Sequence, residues 1–161
     1  MTRKASLLLT LLAVTWVLVA MATPVALARG YAVAPALVYE AAGLVCHQRP
    51  ERSFRLAAVQ LPICARCFGL YAAGAAGALS AWFMGGAAAG RGPTGRTSWT
   101  LAIAALPTAV TVALEWPGLL FPGNVARALA ALPLGATAGH LIVRTLAQSE
   151  GRRPGQVRYH S

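Results

Sequence analysis

Residues 62–89 read PICARCFGLYAAGAAGALSAWFMGGAAA, and this stretch decides the fold because it is long, apolar and carries one charge, Arg66. The hydrocarbon core of a bilayer is about 30 Å thick and requires roughly 20 consecutive apolar residues in a helix. The run therefore predicts a membrane-spanning helix. Proline suits the first turn of a helix, which predicts that Pro62 begins it.

Three further apolar runs predict spanning helices at residues 5–28, 98–120 and 124–146. The first also resembles a secretory signal, but it is longer than the roughly 7–15 residues of a usual signal core, which favours a retained helix or signal anchor. Segment 30–61 is too polar to span and is predicted to be extramembrane or interfacial, and residues 148–161 are predicted to be a disordered tail. The expected fold is one all-α membrane domain over residues 1–161, a bundle of four transmembrane helices.

The composition excludes an ordinary soluble domain. Of 161 residues, 57% are hydrophobic and only 11% are charged, and the mean hydropathy is +0.59. The net charge of +10 arises from 14 basic residues against four glutamates. In a membrane protein arginines in the loops set orientation, so we predict the lipid bilayer as partner and no nucleic acid, with any partner membrane proteins left open.

The basic residues also predict the orientation. Seven lie on the side of both termini (Arg3, Lys4, Arg91, Arg96, Arg152, Arg153 and Arg158), against five on the other side (Arg29, Arg49, Arg52, Arg55 and Arg66). The positive-inside rule then predicts a multi-pass protein of the plasma (inner) membrane with cytoplasmic termini. The same rule places the cysteine motif on the outer face. That face carries more arginine than the rule predicts, so its five arginines need a separate explanation.

All three cysteines fall near the start of the second predicted helix, as Cys46 and the pair Cys64 and Cys67. A Cys-x-x-Cys spacing places two sulfurs on one face of a helical turn, where the helix dipole and Arg66 favour a thiolate. Cys46 and the adjacent His47 could supply a third and a fourth ligand in a Cys3His set suited to zinc or iron. These two neighbours can ligate together only in a turn, so Cys46 alone is the easier third ligand and His47 a possible fourth. We predict a metal-thiolate site at one membrane face.

Three other interpretations of the same residues stay open. Cys64 and Cys67 could be the catalytic thiols of a membrane thiol–disulfide oxidoreductase, with quinone as cofactor. The arginines Arg49, Arg52, Arg55 and Arg66 could hold an anion or a lipid phosphate in a binding or transport module. The cysteines could also be no more than small apolar residues.

Helix direction predicts which polar residues share the cysteine side. If the second helix leaves that side, the third returns to it, so Glu115 and, at the start of the fourth helix, Asn124 and Arg127 should lie there. Glu115 is the one acid in a predicted span, and an unpaired carboxylate there is costly. We expect it to pair with Arg127 or a motif arginine (Arg52, Arg55 or Arg66), in a structural ion pair with Asn124 capping the fourth helix or in a functional site.

The second predicted helix has two faces. A stripe of small residues at every fourth position predicts close helix packing, namely Gly69, Ala73, Gly77, Ala81, Gly85 and Ala89. The other face carries the cysteines and is predicted to carry the site, with Tyr71, Gly74 and Ala78 following Cys64 and Cys67. His140 lies about 24 Å along the fourth helix from Asn124, so it is predicted to pack away from the site.

The pattern CHQRPERSF at residues 46–54, followed by LPICARCFGLYAAG at 61–74, resembles the domain-of-unknown-function 2085 family of prokaryotic membrane proteins. Together with Asn124, Arg127 and Gly135, the resemblance covers residues 39–146. It implies several spanning helices and no particular reaction. Where that family tends to show an aspartate and a nearby glutamine, this chain has Glu115 followed by Trp116, Pro117 and Gly118.

Overall fold

The computed structural model describes residues 4–84 and 95–151. Over these residues the chain forms mostly helix, as predicted, with one 3-10 turn and a two-stranded hairpin. The elements are α1 (Lys4–Ala28), α2 (Val33–Gly43), the 3-10 turn (Pro50–Arg52), β1 (Arg55–Leu56), β2 (Val59–Gln60), α3 (Ala65–Phe83), α4 (Gly95–Glu115) and α5 (Asn124–Gly151).

Three helices are long and apolar enough to cross a membrane, namely Lys4–Ala28, Ser98–Glu115 and Asn124–Gln148. The second predicted span corresponds to α3, which does not meet that criterion over its described residues. α3 is 19 residues long, and Arg66 lies in its first turn. The described residues thus form a helical membrane chain with three candidate spans. The predicted helical membrane fold is confirmed, but the prediction of four spans is not.

α3 and α5 form the most extensive helix–helix contact, and glycines make their close approach feasible. A Cβ at Gly77 would lie 2.8 Å from the carbonyl carbon of Ala136 and closer still to its oxygen. Gly69 meets the backbone of Ala128 in the same way. The predicted small-residue stripe thus packs on α5 as far as it is described, whereas Gly85 and Ala89 lie outside the described residues.

The predicted division of this helix into a packing face and a site face is too simple. Gly74, assigned to the site face, also meets α5, because a Cβ at Gly139 would lie 2.8 Å from the carbonyl carbon of Gly74. Glycines on both helices let α5 sit deeper against α3 than one stripe would allow. His140 packs in this interface, with its Nδ1 2.9 Å from Ser80 Oγ, as expected for a histidine remote from the site.

α1 and α4 cover the α3–α5 pair from different sides. From α1, Trp16 packs edge-on against Tyr71, with ring centroids 6.2 Å apart, and Thr10 Oγ1 accepts a 3.0 Å hydrogen bond from Trp82 Nε1. α4 packs chiefly on α5, where Thr108 Oγ1 donates to the Ala130 carbonyl at 2.8 Å. Many leucines of α1 stay exposed, among them Leu8, Leu12 and Leu18, as expected of a lipid-facing surface.

Several predicted boundaries are corrected. Pro62 precedes α3, which begins at Ala65 with Cys64 as its N-cap residue in extended conformation. α4 ends at Glu115 rather than at residue 120, because Pro117 and Gly118, at φ 76°, form a turn. α5 continues to Gly151, beyond the predicted residue 146. The predicted loop at 90–96 lies outside the described residues, apart from 95 and 96 in α4, and so do residues 152–161 of the predicted tail.

Candidate functional site

The three cysteines converge at the start of α3. Their Sγ atoms all lie within 4.8 Å of one another. Cys46 follows α2 and is buried, Cys64 is the N-cap of α3, and Cys67 lies in its first turn. The backbone N–H of Cys64 donates a 3.1 Å hydrogen bond to Cys46 Sγ, which ties the segment after α2 to the start of α3. The structure thus joins two parts of the sequence that lie 18 residues apart.

A set of backbone and side-chain hydrogen bonds folds the intervening segment back on itself. The Tyr39 hydroxyl donates to the carbonyl of Gln60, and Gln48 Nε2 donates to the carbonyl of Tyr39 at 2.6 Å. Gln60 Nε2 in turn donates to the carbonyl of Gln48 at 2.6 Å. Antiparallel pairing of Leu56 with Val59 closes the hairpin. Because these bonds fix both ends of the loop, Cys46 is held beside the start of α3.

The local environment of Cys64 stabilises a thiolate. The Cys67 thiol donates a hydrogen bond to the Cys64 sulfur and, against the opposing effect of burial, lowers the pKa of Cys64 to about 5. Further hydrogen bonds from the backbone of Cys67 and from Cys46 act in the same direction. Cys64 lies outside the three candidate spans, at the N-terminus of α3, where helix amides also favour negative charge.

His47, the predicted fourth ligand, occupies a different place. It is exposed and lines the same cavity as the cysteines, but its ring nitrogens do not belong to the group of ligand atoms within 4.8 Å. Cys46 and His47 follow the end of α2 in an open stretch of chain rather than in a tight turn. The structure therefore brings together three sulfurs, with His47 nearby.

Glu115 is the centre of an ion-pair cluster. Its Oε1 accepts a 2.8 Å hydrogen bond from Arg127 Nη2 and lies 3.2 Å from Arg52 Nη2, and its Oε2 accepts a 2.9 Å hydrogen bond from Arg66 Nη2. The Glu115 side chain is 5% exposed. The sequence predicted either Arg127 or a motif arginine as the partner of Glu115. In the structure the carboxylate pairs with Arg127 and also with two motif arginines, Arg52 and Arg66.

Arg55 does not take part in the ion-pair cluster, and Asn124 does not cap its helix. Arg55 lies in β1, is exposed, and does not line the cavity or contact Glu115. Asn124 begins α5, but its side chain bridges instead of capping the helix. Its Nδ2 donates to the Ser53 carbonyl at 3.0 Å, and its Oδ1 accepts from Arg127 at 3.1 Å. Asn124 thereby links the motif segment to the ion-pair cluster.

Thiols and ion pairs face one cavity of about 670 Å³. This size is within the range of small-molecule sites. The cavity wall combines the three sulfurs with a positively charged surface and a few apolar groups. It is lined by Val45, Cys46, His47, Gln48, Arg49, Arg52, Cys64, Arg66, Cys67, Val112, Glu115, Trp116 and Arg127.

Sequence reasoning did not find the residues that support the site. Gln60 and Ser53 are hydrogen-bonded within the loop, with Gln60 Nε2 3.3 Å from Ser53 Oγ, and Gln48 adopts φ 48°. Gln48 and Ser53 both belong to the motif at residues 46–54, but the motif alone did not indicate that their side chains support the loop. Val112 was predicted only as a helix residue and Trp116 only as a departure from the family pattern, because a cavity wall has no sequence pattern of its own.

Comparisons with known proteins match the motif region. The model of a family described as "Predicted membrane protein (DUF2085)" matches residues 46–141. The uncharacterized protein MJ1492 of Methanocaldococcus jannaschii is 47% identical over 34 residues, which are 21% of this chain and 22% of that protein. That alignment thus spans about a fifth of the relative's length. No solved structure matches the chain.

Proposed function

The chain belongs to the DUF2085 family of predicted membrane proteins, and from this premise we propose that it binds one zinc or iron ion through Cys46, Cys64 and Cys67. The observation that carries the proposal is the convergence of the three Sγ atoms within 4.8 Å. The ion would be either a structural link between the motif segment and α3 or a reactive centre facing the cavity. The proposed location is the outer face of the plasma membrane, with cytoplasmic termini.

The donor set fits a thiophilic metal. Zinc–sulfur bonds of about 2.3 Å in a tetrahedral site separate the sulfurs by roughly 3.8 Å, so a contraction of about 1 Å is sufficient. Thiolates are the form that binds metal, and the low pKa of Cys64 supplies one of them at neutral pH. Bound metal would replace thiol protons at the other two, since metal binding releases protons.

The fourth coordination position is proposed to face the cavity. Structural zinc sites are closed by four protein ligands, whereas reactive sites keep one position open. The described residues offer three sulfurs within 4.8 Å, and His47 lies at the cavity wall outside that group. A ligand from the cavity, such as water or an anion, would therefore complete the coordination shell.

Metal analysis of the purified protein tests the proposal. We expect about one equivalent of zinc or iron per chain, and loss of that metal in the Cys64→Ser/Cys67→Ser variant, because one sulfur alone does not hold it. His47→Ala should retain the metal, and His140→Ala, a histidine bonded to Ser80 away from the site, is the matched control. Wild-type protein that is metal-free yet fully stable would refute the metal site.

A thiol–disulfide oxidoreductase is the second candidate function, favoured by the hydrogen bond between Cys67 and Cys64 and by the low pKa of Cys64. In this function the thiols of a substrate would be oxidised to a disulfide as they reduce a Cys64–Cys67 disulfide, and the low pKa of Cys64 makes it the better leaving thiolate in that exchange. The Cys64 thiolate and the Cys67 thiol would then re-form their disulfide and release two electrons and one proton. A quinone takes up these electrons with that proton and one more from water, and becomes a quinol.

Alkylation in intact cells separates the two functions. For the oxidoreductase we expect a substantial disulfide-linked fraction of Cys64 and Cys67, detected as thiols that react only after reduction. A membrane-impermeant reagent, compared with a permeant one, reports which face carries the pair. Thiols that are reduced under all growth conditions would contradict the oxidoreductase and leave the metal proposal standing.

A further inference from the structure

The ion-pair cluster carries more positive than negative charge. Arg52, Arg66 and Arg127 each place a guanidinium nitrogen within 3.2 Å of one carboxylate, that of Glu115. Three positive charges against one negative charge leave an excess of two. Arginine stays protonated in proteins, so the guanidiniums cannot relieve this excess by losing a proton.

Two of the three arginines are largely out of solvent, whereas the Arg52 side chain is 39% exposed. The Arg127 side chain is 9% exposed and that of Arg66 is 21% exposed. The Nε atoms of both are buried and have no hydrogen-bond partner within the described part of the chain. A buried charge is costly unless it is paired and hydrogen-bonded, and one carboxylate leaves the three guanidinium groups short of negative charge and of acceptor atoms.

We propose that the cavity binds a phosphate-type oxyanion on Arg52, Arg66 and Arg127. A phosphate monoester carries a charge of about −1.5 to −2 at pH 7, which matches the excess of two. Its oxygens accept the paired N–H groups that guanidinium forks present. Among the described residues that line the cavity, Glu115 is the one acid, and Arg49 adds a further positive charge at the wall.

Phosphate binding does not require the metal. With Arg49, four arginines line the cavity against the one carboxylate of Glu115. A divalent ion on three thiolates carries a net charge of −1, so this wall keeps an excess of two positive charges with the metal bound. The cavity therefore stays positive with or without metal, and the two proposals can fail separately.

Two sources can supply the phosphate group. Val45 and Trp116 line the cavity and are 59% and 88% exposed, so an apolar chain attached to the phosphate would find apolar contacts beside the arginines. Tryptophan is enriched at the level of lipid headgroups. The bound group is thus the headgroup of an anionic lipid or a soluble phosphate compound, with the same arginine contacts in both cases.

Binding measurements on the purified full-length protein in neutral detergent test the proposal. Radiolabelled inorganic phosphate is titrated in equilibrium dialysis, and phosphatidic acid is titrated against phosphatidylcholine by native mass spectrometry. We expect saturable binding of at least one phosphate probe, weakened about tenfold or more in Arg52→Gln. Arg55→Gln, which removes the same charge three residues away and outside the cavity, should bind as the wild type does.

Saturable phosphate binding without preference for phosphatidic acid assigns a soluble compound, and a preference for phosphatidic acid assigns the lipid. Cys64→Ser/Cys67→Ser should retain the binding, which separates this inference from the metal site. If Arg52→Gln does not fold, Arg49→Gln at the exposed cavity wall takes its place. Absence of saturable binding, or equal weakening by Arg52→Gln and Arg55→Gln, would overturn the proposal.

Discussion

Replacing Gly77 by alanine is expected to separate α3 from α5 and to destabilise the protein strongly. The added Cβ would lie 2.8 Å from the carbonyl carbon and 2.9 Å from the Cα of Ala136, both in the backbone of a helix that cannot shift alone. Overpacking costs roughly 1–3 kcal/mol and sometimes more, and a clash with backbone belongs to the upper end. Thermal unfolding of the purified protein in detergent measures the loss.

Gly74→Ala provides the matched control on the same helix. A Cβ at Gly74 meets its nearest atom, the carbonyl oxygen of Gly135, at 3.7 Å, which is ordinary van der Waals contact. Helix propensity favours alanine over glycine in both variants by about 1 kcal/mol, so this contribution cancels in the comparison. Equal stability of the Gly77→Ala and Gly74→Ala proteins would show that the two helices do not pack as closely as described.

Replacing Glu115 by glutamine is expected to destabilise the protein by roughly 3–5 kcal/mol, the usual cost of removing one partner from a buried ion pair. The substitution keeps the size of the side chain but removes the charge that Arg52, Arg66 and Arg127 share. It also turns an amide NH2 group toward guanidinium donors, which cannot accept it. The same unfolding measurement in detergent reports the effect.

Glu51→Gln is the control for the loss of a carboxylate. Glu51 is exposed in the 3-10 turn, so its replacement should change the free energy of unfolding by no more than about 0.5 kcal/mol. A Glu115→Gln protein as stable as Glu51→Gln would mean that the buried cluster is energetically neutral. The arginines would then be compensated from elsewhere.

Helix direction was enough to predict where Glu115 lies. The apolar runs define the order of the helices, and each helix reverses the direction of the last, so the end of α4 and the start of α5 had to meet the start of α3. The Cys-x-x-Cys spacing likewise places Cys64 and Cys67 together, because one helical turn separates them. These inferences depend only on local periodicity and chain connectivity.

The sequence could not predict contacts that depend on the fold of the motif segment. Cys46 reaches the other thiols because Gln48 and Gln60 hold the loop through backbone carbonyls, and such long-range hydrogen bonds leave no periodic pattern. Arg52 and Arg55 are equally basic in the sequence. Yet Arg52 is the last residue of the 3-10 turn and pairs with Glu115, whereas Arg55 lies exposed in β1.

The prediction that α3 spans the membrane is not confirmed, and the way α3 packs on α5 bears on this result. Glycine lowers the hydropathy of a helix, but it also lets a second helix approach its backbone. The residues that weaken the evidence for a lipid-facing span are thus those that bury α3 against α5. The mean hydropathy of a helix measures how well its whole surface suits lipid, whereas one face of α3 is buried against other helices of the protein.

The glycine-to-backbone contacts of α3 and α5 also determine which parts of the molecule can move. Helices locked backbone to backbone shift as one rigid body, which carries Cys64, Cys67 and Arg127 together. Among the described residues of α4 no glycine meets a neighbouring backbone in this way, so we expect α4, which supplies Glu115, to be the wall of the cavity that moves. Any outward movement of α4 would break the ion pairs of Glu115 with both Arg66 and Arg127, so these two pairs oppose that movement.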